Sequence, residues 1–295
     1  MNVGRMGTLA LELAPLFWER YSKELRRPIE KASSRPTPAS WPKTGLHAAW
    51  LGHSTVLLQI DGTTLITDPV FSDRVGIQLG PITLGLKRLV SPALRIKELP
   101  PIDVVLLSHA HMDHFDLPSL RALENPKTTV VTASKTSDLL HTKRYAGVHE
   151  LAWGERIQAG GLTIRAFEVR HWGARMQTDL YRGYNGYVIE GGRHRVLFGG
   201  DTAFTKAFAS ARGPREIELA IMPIGAYDPW ISAHCTPEQA AQMANDAGAQ
   251  RILPVHHQTF ELSREPRLEP IERLLQSTGE DRVVLRHPGE EFHLD

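Results

Sequence analysis

The sequence has almost no cysteine, almost no net charge and no long apolar run, and each scarcity excludes a class of protein. A single cysteine, Cys235, cannot form an intramolecular disulfide, a cysteine-rich zinc module or a Cys-x-x-Cys redox site, so a reducing compartment is the simplest setting. Lysine and arginine total 34 against 33 for aspartate and glutamate, which excludes the strong positive field of a dedicated nucleic-acid binder. No apolar run reaches the ~18 residues of a membrane span. We therefore expect a cytoplasmic protein that does not bind nucleic acid.

What is present is the composition of an ordinary globular protein. The chain has 295 residues, 41% hydrophobic and 23% charged, which suffices for a large core and for one large domain or two small ones. An apolar stripe predicts a helix over residues 15–27, and a Ser- and Pro-rich stretch over 33–42 predicts a linker. We thus expect an N-terminal helix and linker over 1–42 and one compact domain over 43–295. The helix could pack on the domain, on a partner chain of a homo-oligomer, or on an anionic membrane surface.

From residue 43 onward, strand-like runs outnumber helical ones. Asp61-Gly62 predicts a hairpin turn, and the wholly apolar run 104–107 predicts a strand buried on both faces. Single helices interrupt the strand runs, a pattern that favours two sheets covered by helices. The predicted strands are 46–51, 55–60, 63–67, 104–107, 128–132, 162–169, 184–190, 195–198, 219–222 and 251–254, and the predicted helices are 118–123, 134–143, 237–247 and 269–276.

The densest group of reactive side chains directly follows the buried strand. Residues 108–114 run Ser-His-Ala-His-Met-Asp-His and place four potential metal ligands within six positions. Side chains alternate along extended backbone, so His109 and His111 can point the same way and share one ion. Asp113 and His114 would then face a second ion, at the separation of about 3.5–4 Å known from two-metal hydrolases. Nitrogen and oxygen donors of this kind fit zinc best and also admit iron or manganese.

Four side chains from one loop cannot complete two metal sites, so we expect further ligands after other strands. His171, Asp201 and His256 each come directly after a strand-like run. The pair Gly199-Gly200 would let the backbone before Asp201 approach the site closely, and a carboxylate there can bridge two cations. A surface histidine or a helix-capping aspartate would explain any one of the three alone, but explains their repeated placement less well. His257 could support a ligand, contact the substrate or lie on the surface.

The His-x-His-x-Asp-His run, followed in order by His171, Gly200-Asp201-Thr202 and His256, resembles the metallo-β-lactamase superfamily. Within it, the chain from about Trp50 onward is similar to the N-acyl-phosphatidylethanolamine-hydrolysing phospholipase D group and its bacterial relatives. The family often has an aromatic residue and a glycine after the last histidine ligand, where this chain has His257 and Gln258. The narrower likeness rests on the segments Leu51–Thr55, Thr67–Ser72, Leu99–Asp103, His171–Trp172, Pro223–Pro229 and Thr259–Phe260.

The resemblance implies an α/β fold, an αββα sandwich of two mixed β-sheets flanked by helices, with a binuclear zinc site at the edge between the sheets. The motif match would assign His109, His111 and His171 to one zinc, Asp113, His114 and His256 to the other, and Asp201 to a bridging position. A hydroxide shared by the metals would be the nucleophile, since zinc lowers the pKa of bound water from ~15.7 to ~7. Asp113 would help to orient that hydroxide.

The resemblance also suggests roles for residues around the metals. His234 matches a histidine that assists the substrate or leaving group in this branch, which makes it a candidate general acid or phosphate contact. Alternatively, His234 has only a structural role, in the segment that caps the helix beginning near Pro237. His53 and Asp68 would orient metal ligands through hydrogen bonds, or serve folding alone.

A hydroxide held by two zinc ions can hydrolyse phosphodiesters, lactones and β-lactams alike. The choice of substrate therefore depends on the residues around the metals. Residues 74–97 contain five basic residues, no acidic ones and several leucines, and we expect a loop there that suits an anionic head group with an acyl chain. Arg170 and Arg175 could pair with phosphate oxygens. The leading hypothesis is a phospholipase D-type phosphodiesterase for N-acyl-phosphatidylethanolamine-like lipids, with peripheral membrane contact. The alternatives are a lactonase or other ester or amide hydrolase, a metal-dependent nuclease and a non-catalytic metal sensor.

Overall fold

The structure, a computed structural model, describes residues 24, 26–80, 82–176 and 178–295. Of the helix predicted over 15–27, residues 15–23 and 25 lie outside the described residues, so that helix and the boundary at 42/43 stay predictions. The described segment before the first strand lies on the rest of the protein: Arg27 donates hydrogen bonds to the carbonyl oxygens of Lys87 and Arg88, and Glu30 pairs with Val90. Among all the residues that the structure describes, no helix is long and apolar enough to cross a membrane.

Fifteen strands form within the described residues, and most of them belong to two large mixed sheets. They are β1 (Leu46–Gly52), β2 (Thr55–Ile60), β3 (Thr63–Thr67), β4 (Arg74–Leu79), β5 (Ile82–Lys87), β6 (Val104–Leu106), β7 (Thr129–Ala133), β8 (Gly147–Leu151), β9 (Arg156–Ala159), β10 (Leu162–Phe167), β11 (Gly186–Gly191), β12 (His194–Phe198), β13 (Ile217–Pro223), β14 (Ala249–Val255) and β15 (Glu291–Leu294).

The first sheet has the order β15-β1-β2-β3-β6-β7-β8. Its strands β1, β2 and β3 are antiparallel, with the predicted turn at Asp61-Gly62 between β2 and β3. The strands from β3 through β6 and β7 to β8 run parallel. All three residues of β6 are buried, which confirms the prediction of a strand covered on both faces.

The second sheet has the order β14-β13-β12-β11-β10-β9. Its strands β12, β13 and β14 are parallel, and β9 to β12 are antiparallel. Alternate apolar residues of the two sheets face each other and form the central core. Fully buried members of that core include Leu58, Leu106, Ile164, Phe198 and Ile221.

The outer faces of the sheets are covered by the α-helices α1 (Leu117–Ala122), α2 (Pro237–Ala247) and α3 (Glu269–Thr278). Leu120 of α1 packs with the outer face of the first sheet, and Met243 of α2 and Leu274 of α3 pack with that of the second. The predicted αββα sandwich is therefore confirmed. Helix α2 begins at Pro237, as predicted, because Thr236 and Gln239 exchange side-chain-to-backbone hydrogen bonds that satisfy the first free N–H groups.

The prediction of a helix over 134–143 was wrong. That segment forms two 3₁₀ turns, Ser137–Leu139 and Thr142–Arg144. The carboxylate of Glu150 in β8 accepts hydrogen bonds from the backbone N–H groups of Lys135, Thr136 and Ser137, at 2.7 to 3.0 Å. These hydrogen bonds hold the backbone beside the sheet, and the many Ser and Thr residues of the segment give a helix little local support.

The expectation of a loop over residues 74–97 was also wrong, since β4 and β5 pair there as a separate two-stranded hairpin. Val75 and Ile77 of β4 lie opposite Leu86 and Leu84 of β5. Their period-2 spacing is visible in the sequence, but Gly76 and Gly85 weaken the strand signal on both arms. The three strands β8, β9 and β15 were not predicted either.

Candidate metal centre

The predicted ligands converge because they follow the carboxyl ends of parallel strands. Asp68 follows β3, the segment 108–114 (the metal loop) follows β6, Asp201 follows β12 and His256 follows β14. Parallel strands in each sheet present these ends at one edge, which is where open α/β sheets place their ligand sites. His109 pairs with Tyr184 in an isolated bridge, which joins the metal loop to the second sheet.

Three residues at this edge adopt left-handed backbone conformations that non-glycine residues rarely take. The φ angles are 52° at His53, 31° at Asp68 and 63° at His256. A hydrogen bond joins the turns at His53 and His256, from the His256 N–H to the His53 carbonyl oxygen at 3.1 Å. The same oxygen also accepts from the Trp50 indole N–H at 2.8 Å. Such strain costs about 1–3 kcal/mol per residue and persists only where surrounding contacts enforce it, commonly at functional sites.

His109, His111 and His171 form the first ligand group. Nδ1 of His111 lies 2.8 Å from Nε2 of His109 and 3.2 Å from Nε2 of His171. Nδ1 of His171 lies 2.9 Å from the carbonyl oxygen of Ala233. That oxygen can only accept, so the His171 proton is on Nδ1 and its Nε2 presents a lone pair to His111.

The His109 tautomer follows from the same reasoning. Ser108 Oγ donates to Asp68 Oδ2 at 2.5 Å and therefore accepts from His109 Nδ1 at 2.8 Å. Nε2 of His109 is then a second lone pair aimed at His111 Nδ1, which carries at most one proton. Three imidazole nitrogens that cannot all hydrogen-bond to one another fit a shared cation.

Asp113, His114 and His256 form the second ligand group, together with His53. Nε2 of His114 lies 3.7 Å and Nε2 of His256 lies 3.6 Å from Oδ2 of Asp113. The same carboxylate oxygen is 3.1 Å from Nε2 of His53. Possible ligand atoms of these four residues all lie within 4.8 Å of one another.

Asp201 lies between the two groups. Its Oδ2 is 3.0 Å from Nε2 of His256, 3.2 Å from Nε2 of His114 and 3.9 Å from Nε2 of His171. His114 donates its Nδ1 proton to Asp68 at 2.7 Å. Burial opposes a second proton on this ring, but Asp201 and Asp113 outweigh burial and raise the pKa of His114 well above its usual range, so positive charge is favoured at Nε2. A divalent cation bound there would take the place of that proton.

The polar atoms at the centre of the cluster are buried and lack hydrogen-bond partners. Among the described residues, these atoms include Nε2 of His114, Nε2 of His256 and Oδ1 of Asp201. Buried polar groups without partners cost about 1–3 kcal/mol each, so an arrangement of this kind requires a compensating ligand. The donor set, imidazole nitrogens with carboxylate oxygens, fits divalent transition metals.

Charge is distributed unevenly over the two groups. Burial lowers the pKa of His109 and His171 well below the usual range, so both imidazoles are neutral ligands. Burial would raise the pKa of Asp113 and Asp201, but the neighbouring imidazoles outweigh it and hold both carboxyls well below their usual range. Burial disfavours protonation of His256, yet Asp201 and Asp113 raise its pKa to about 9. The carboxylates thus attract positive charge to the second group.

The comparisons with known proteins agree with this geometry. Residues 63–257 match the family described as the β-lactamase superfamily domain, and the match covers well over half of the chain. The chain belongs to the β-lactamase superfamily. It is a metal-dependent hydrolase of the metallo-β-lactamase fold, with a candidate metal-binding cluster of histidine and aspartate residues.

Relatives in this superfamily include proteins with and without an assigned activity. The chain is 31% identical to an N-acyl-phosphatidylethanolamine-hydrolyzing phospholipase D of Caenorhabditis elegans, over 79% of this chain and 69% of that protein. It is 32% identical to an uncharacterized protein of Mycobacterium tuberculosis, over 94% of this chain and 76% of that one. Among solved structures, a metallo hydrolase from Ignicoccus hospitalis has a TM-score of 0.63 at 20% identity, over 85% of this chain and 99% of that chain.

His234 lies beside the histidine and aspartate cluster, in the segment just before α2. Its Nδ1 is 3.8 Å from Oδ2 of Asp201 and has no hydrogen-bond partner, and its ring lies 5.2 Å from those of His171 and His256. Burial lowers the pKa of His234 to about 4, so the ring is uncharged at neutral pH. A neutral imidazole here can donate one N–H to a ligand oxygen.

The other predicted contact residues differ in their placement relative to the cluster. Arg170 is exposed. Arg175 donates to the carbonyl oxygens of Ala110 and Phe115 at 3.2 and 2.8 Å, so its guanidinium supports the metal loop from behind. His257 is buried and stacks on Trp50 at 4.7 Å, which excludes a surface position.

Two features of the site were not identified from the sequence. Trp172, quoted only for the family likeness, places its ring 4.8 Å from His111 and 4.5 Å from His171 and is 41% exposed. Gln258 adopts a φ of 60°, in the region where the family's glycine would be unstrained. The family departure at 257–258 was visible in the sequence, and this conformation could have been inferred from it.

Proposed function

We propose that this metal-dependent hydrolase holds two zinc ions and cleaves the phosphodiester of N-acyl-phosphatidylethanolamine-like lipids, as a phospholipase D does. The observation that carries the proposal is that the Asp201 carboxylate lies between two groups of imidazoles whose ring nitrogens converge on it, at 3.0 to 3.9 Å. The 31% identity to a phospholipase D of that specificity supports the substrate class. Iron or manganese would fit the same donors.

The chain's residues would divide between the two metals and the substrate. His109, His111 and His171 would hold one ion, Asp113, His114 and His256 the other, and Asp201 both. Ions bound there would supply a Lewis acid for phosphoryl oxygens and would acidify water. The remaining side chains would orient these ligands and the substrate.

Asp113 and His234 are the two residues to which we assign catalytic roles. His53 donates from Nε2 to Asp113 Oδ2 at 3.1 Å, which leaves the other carboxylate oxygen to orient a water for attack on phosphorus. His234 would donate its N–H to a phosphoryl oxygen, because it is buried, uncharged and without a partner on Nδ1. Asp68 would hold His114 in the tautomer that ligates.

The surface around the cluster supports a lipid substrate. Six of the nine large exposed hydrophobic residues among the described residues lie in two loops next to it. Trp172 begins the first loop and contacts His171, and the carbonyl of Trp230 in the second accepts from the N–H of His234 at 3.0 Å. Aromatic and aliphatic side chains at this position suit peripheral contact with a membrane. The six residues are Trp172, Met176, Leu180, Tyr181, Trp230 and Ile231.

A direct assay tests the proposal. The zinc-loaded protein would be incubated with a panel of phospholipid diesters, acyl-homoserine lactones and single-stranded RNA, each with and without a chelator, and products identified by mass spectrometry. We expect N-acylethanolamine and phosphatidic acid, and no product with the chelator. Turnover of lactones or RNA without turnover of any phospholipid diester would overturn the substrate assignment. Cytoplasmic location and homo-oligomerisation stay predictions.

A further inference from the structure

We infer that a cavity beside the metal centre binds one hydrocarbon chain of the substrate, an inference that rests on the lipid substrate proposed above. The cavity has a volume of about 570 Å³ and lies between residues 256–267, the turn at Gly225-Ala226 and Leu89. That volume is in the range of about 300–1,000 Å³ typical of small-molecule sites. Its apolar lining residues are Leu89, Ala226, Phe260, Leu262, Pro266 and Pro270.

The cavity lies directly against one of the proposed metal ligands. His256 lines the cavity, while its Nε2 is 3.0 Å from Asp201 Oδ2 in the cluster. Phe260 also lines the cavity, and its ring meets that of His53 edge-on at 5.1 Å. The cavity and the ligand cluster are therefore neighbours, and a substrate whose phosphodiester binds at the cluster would place a chain in the cavity by passing around these buried rings.

The hairpin of β4 and β5 continues the apolar wall outward. Val75 packs in one cluster with Phe260, and Leu86 and Leu262 pack against that cluster. Ile77, the next residue on the same face as Val75, is 48% exposed. The hairpin thus gives a chain an apolar surface on its way into the cavity. Exposure of an apolar side chain to water is unfavourable, and contact with a hydrocarbon chain would remove that apolar surface from water.

Four charged residues, Glu261, Arg264, Glu265 and Arg267, line the cavity, and their formal charges cancel. The Glu265 carboxylate accepts from the backbone N–H groups of Ala226 and Asp228, at 2.5 and 3.1 Å. Arg267 forms an ion pair with Glu30 at 2.9 Å. Two acidic and two basic residues leave the lining without net charge, which favours an uncharged chain as the occupant.

Binding of the product class tests the inference without turnover. N-acylethanolamines with acyl chains of increasing length, below their solubility limits, would be titrated calorimetrically into the metal-free full chain. We expect affinity to rise up to about fourfold for each buried methylene, until the cavity is filled and affinity levels off. A cavity of fixed volume predicts that plateau, whereas adsorption of chains to an open surface predicts none. A steady rise with no plateau, or no dependence on length, would overturn the inference.

Three variants locate the chain. Leu89→Trp keeps the lining apolar but fills space, so we expect the plateau at a shorter chain. Leu262→Asn should weaken binding of the longest chain by tenfold or more. Leu268→Asn is the matched control, because Leu268 is 47% exposed and does not line the cavity; we expect it to bind as wild type. An unchanged plateau in correctly folded Leu89→Trp protein would contradict the assignment.

The two proposals fail in different ways. If the variants shift chain binding as expected but no phosphodiester is hydrolysed by the zinc-loaded protein, the proposed function is wrong and the chain site stands. If lipid diesters are hydrolysed and the preferred chain length does not respond to Leu89→Trp, the cavity does not hold the chain. Leu180→Ser or Ile231→Ser abolishing the chain-length dependence would likewise overturn the inference, since both lie in exposed loops and neither lines the cavity.

Discussion

Asp68 controls the tautomer of a candidate metal ligand from outside the cluster, so Asp68→Asn should weaken metal binding while leaving the proposed ligands in place. Oδ1 of Asp68 accepts from the backbone N–H of Ser108 at 2.7 Å. Its Oδ2 accepts from Ser108 Oγ at 2.5 Å and from His114 Nδ1 at 2.7 Å. All three partners donate, and the carboxylate is fully buried.

Asparagine has one oxygen where aspartate has two, so one side of this arrangement must fail. If the amide N–H₂ of the substituted Asp68 faces His114, Nδ1 of that ring must accept and its proton moves to Nε2, the atom that would bind metal. If the amide N–H₂ instead faces the backbone N–H of Ser108, two hydrogen-bond donors meet in a buried site and neither has an acceptor. Loss of such a supporting contact typically lowers metal affinity 10- to 100-fold. That range corresponds to about 1.4–2.7 kcal/mol.

The measurement is competition for zinc with a chromophoric chelator at fixed pH and ionic strength. Asp116→Asn is the matched control, because Asp116 is also buried and accepts from Ser72 and Ser119 hydroxyls but contacts no histidine. Circular dichroism and thermal unfolding would show that both variants fold. Zinc affinity in Asp68→Asn equal to that of wild type, with the fold intact, would refute the tautomer argument.

Three further predictions concern other parts of the chain. His234→Ala should retain its metal content by elemental analysis and lose about 10²–10⁴-fold in turnover; wild-type rates on every accepted substrate would remove its catalytic role. Gly225→Ala should reduce metal content, because the new Cβ would lie 2.3 Å from the carbonyl oxygen of His256; full metal loading with an unchanged melting temperature would contradict this. Glu150→Gln should lower the free energy of unfolding at pH 7 by about 1 kcal/mol, a value discounted for solvent exposure. Burial opposes ionisation of Glu150, but the N–H groups of residues 135–137 outweigh it and lower its pKa, so its contribution is present above the usual glutamate pKa and lost as the pH falls through the folded value. Urea denaturation at pH 7 and at acid pH should show a difference that disappears in acid; a constant difference would refute it.

Local sequence signals were sufficient where the determining interactions are local. Asp61-Gly62 forms the hairpin turn, because few other residue pairs adopt its backbone angles. The helix over 237–247 begins and ends at the predicted residues, because Thr236 caps its first turn and Gly248 takes the left-handed angle after its last. The metal loop, His171, Asp201 and His256 were candidates because each follows a strand.

Long-range contacts decided what local signals did not. Segment 134–143 was predicted as a helix, but hydrogen bonds to the carboxylate of Glu150 hold its backbone at the sheet. The pairing of β4 with β5 depends on contacts of Val75 and Leu86 with Phe260, which is far away in sequence.

By itself, the sequence determined the types of ligand and their order along the chain, since strand periodicity and the short spacing within the metal loop are local properties. Only the tertiary structure decided which imidazole nitrogen carries a proton, because the partners that set it, Asp68 for His114 and Ala233 for His171, come from distant segments. It also decided that His256 lies between the metal cluster and an apolar cavity. Cavities arise where separate elements pack, and no single stretch of sequence contains both walls.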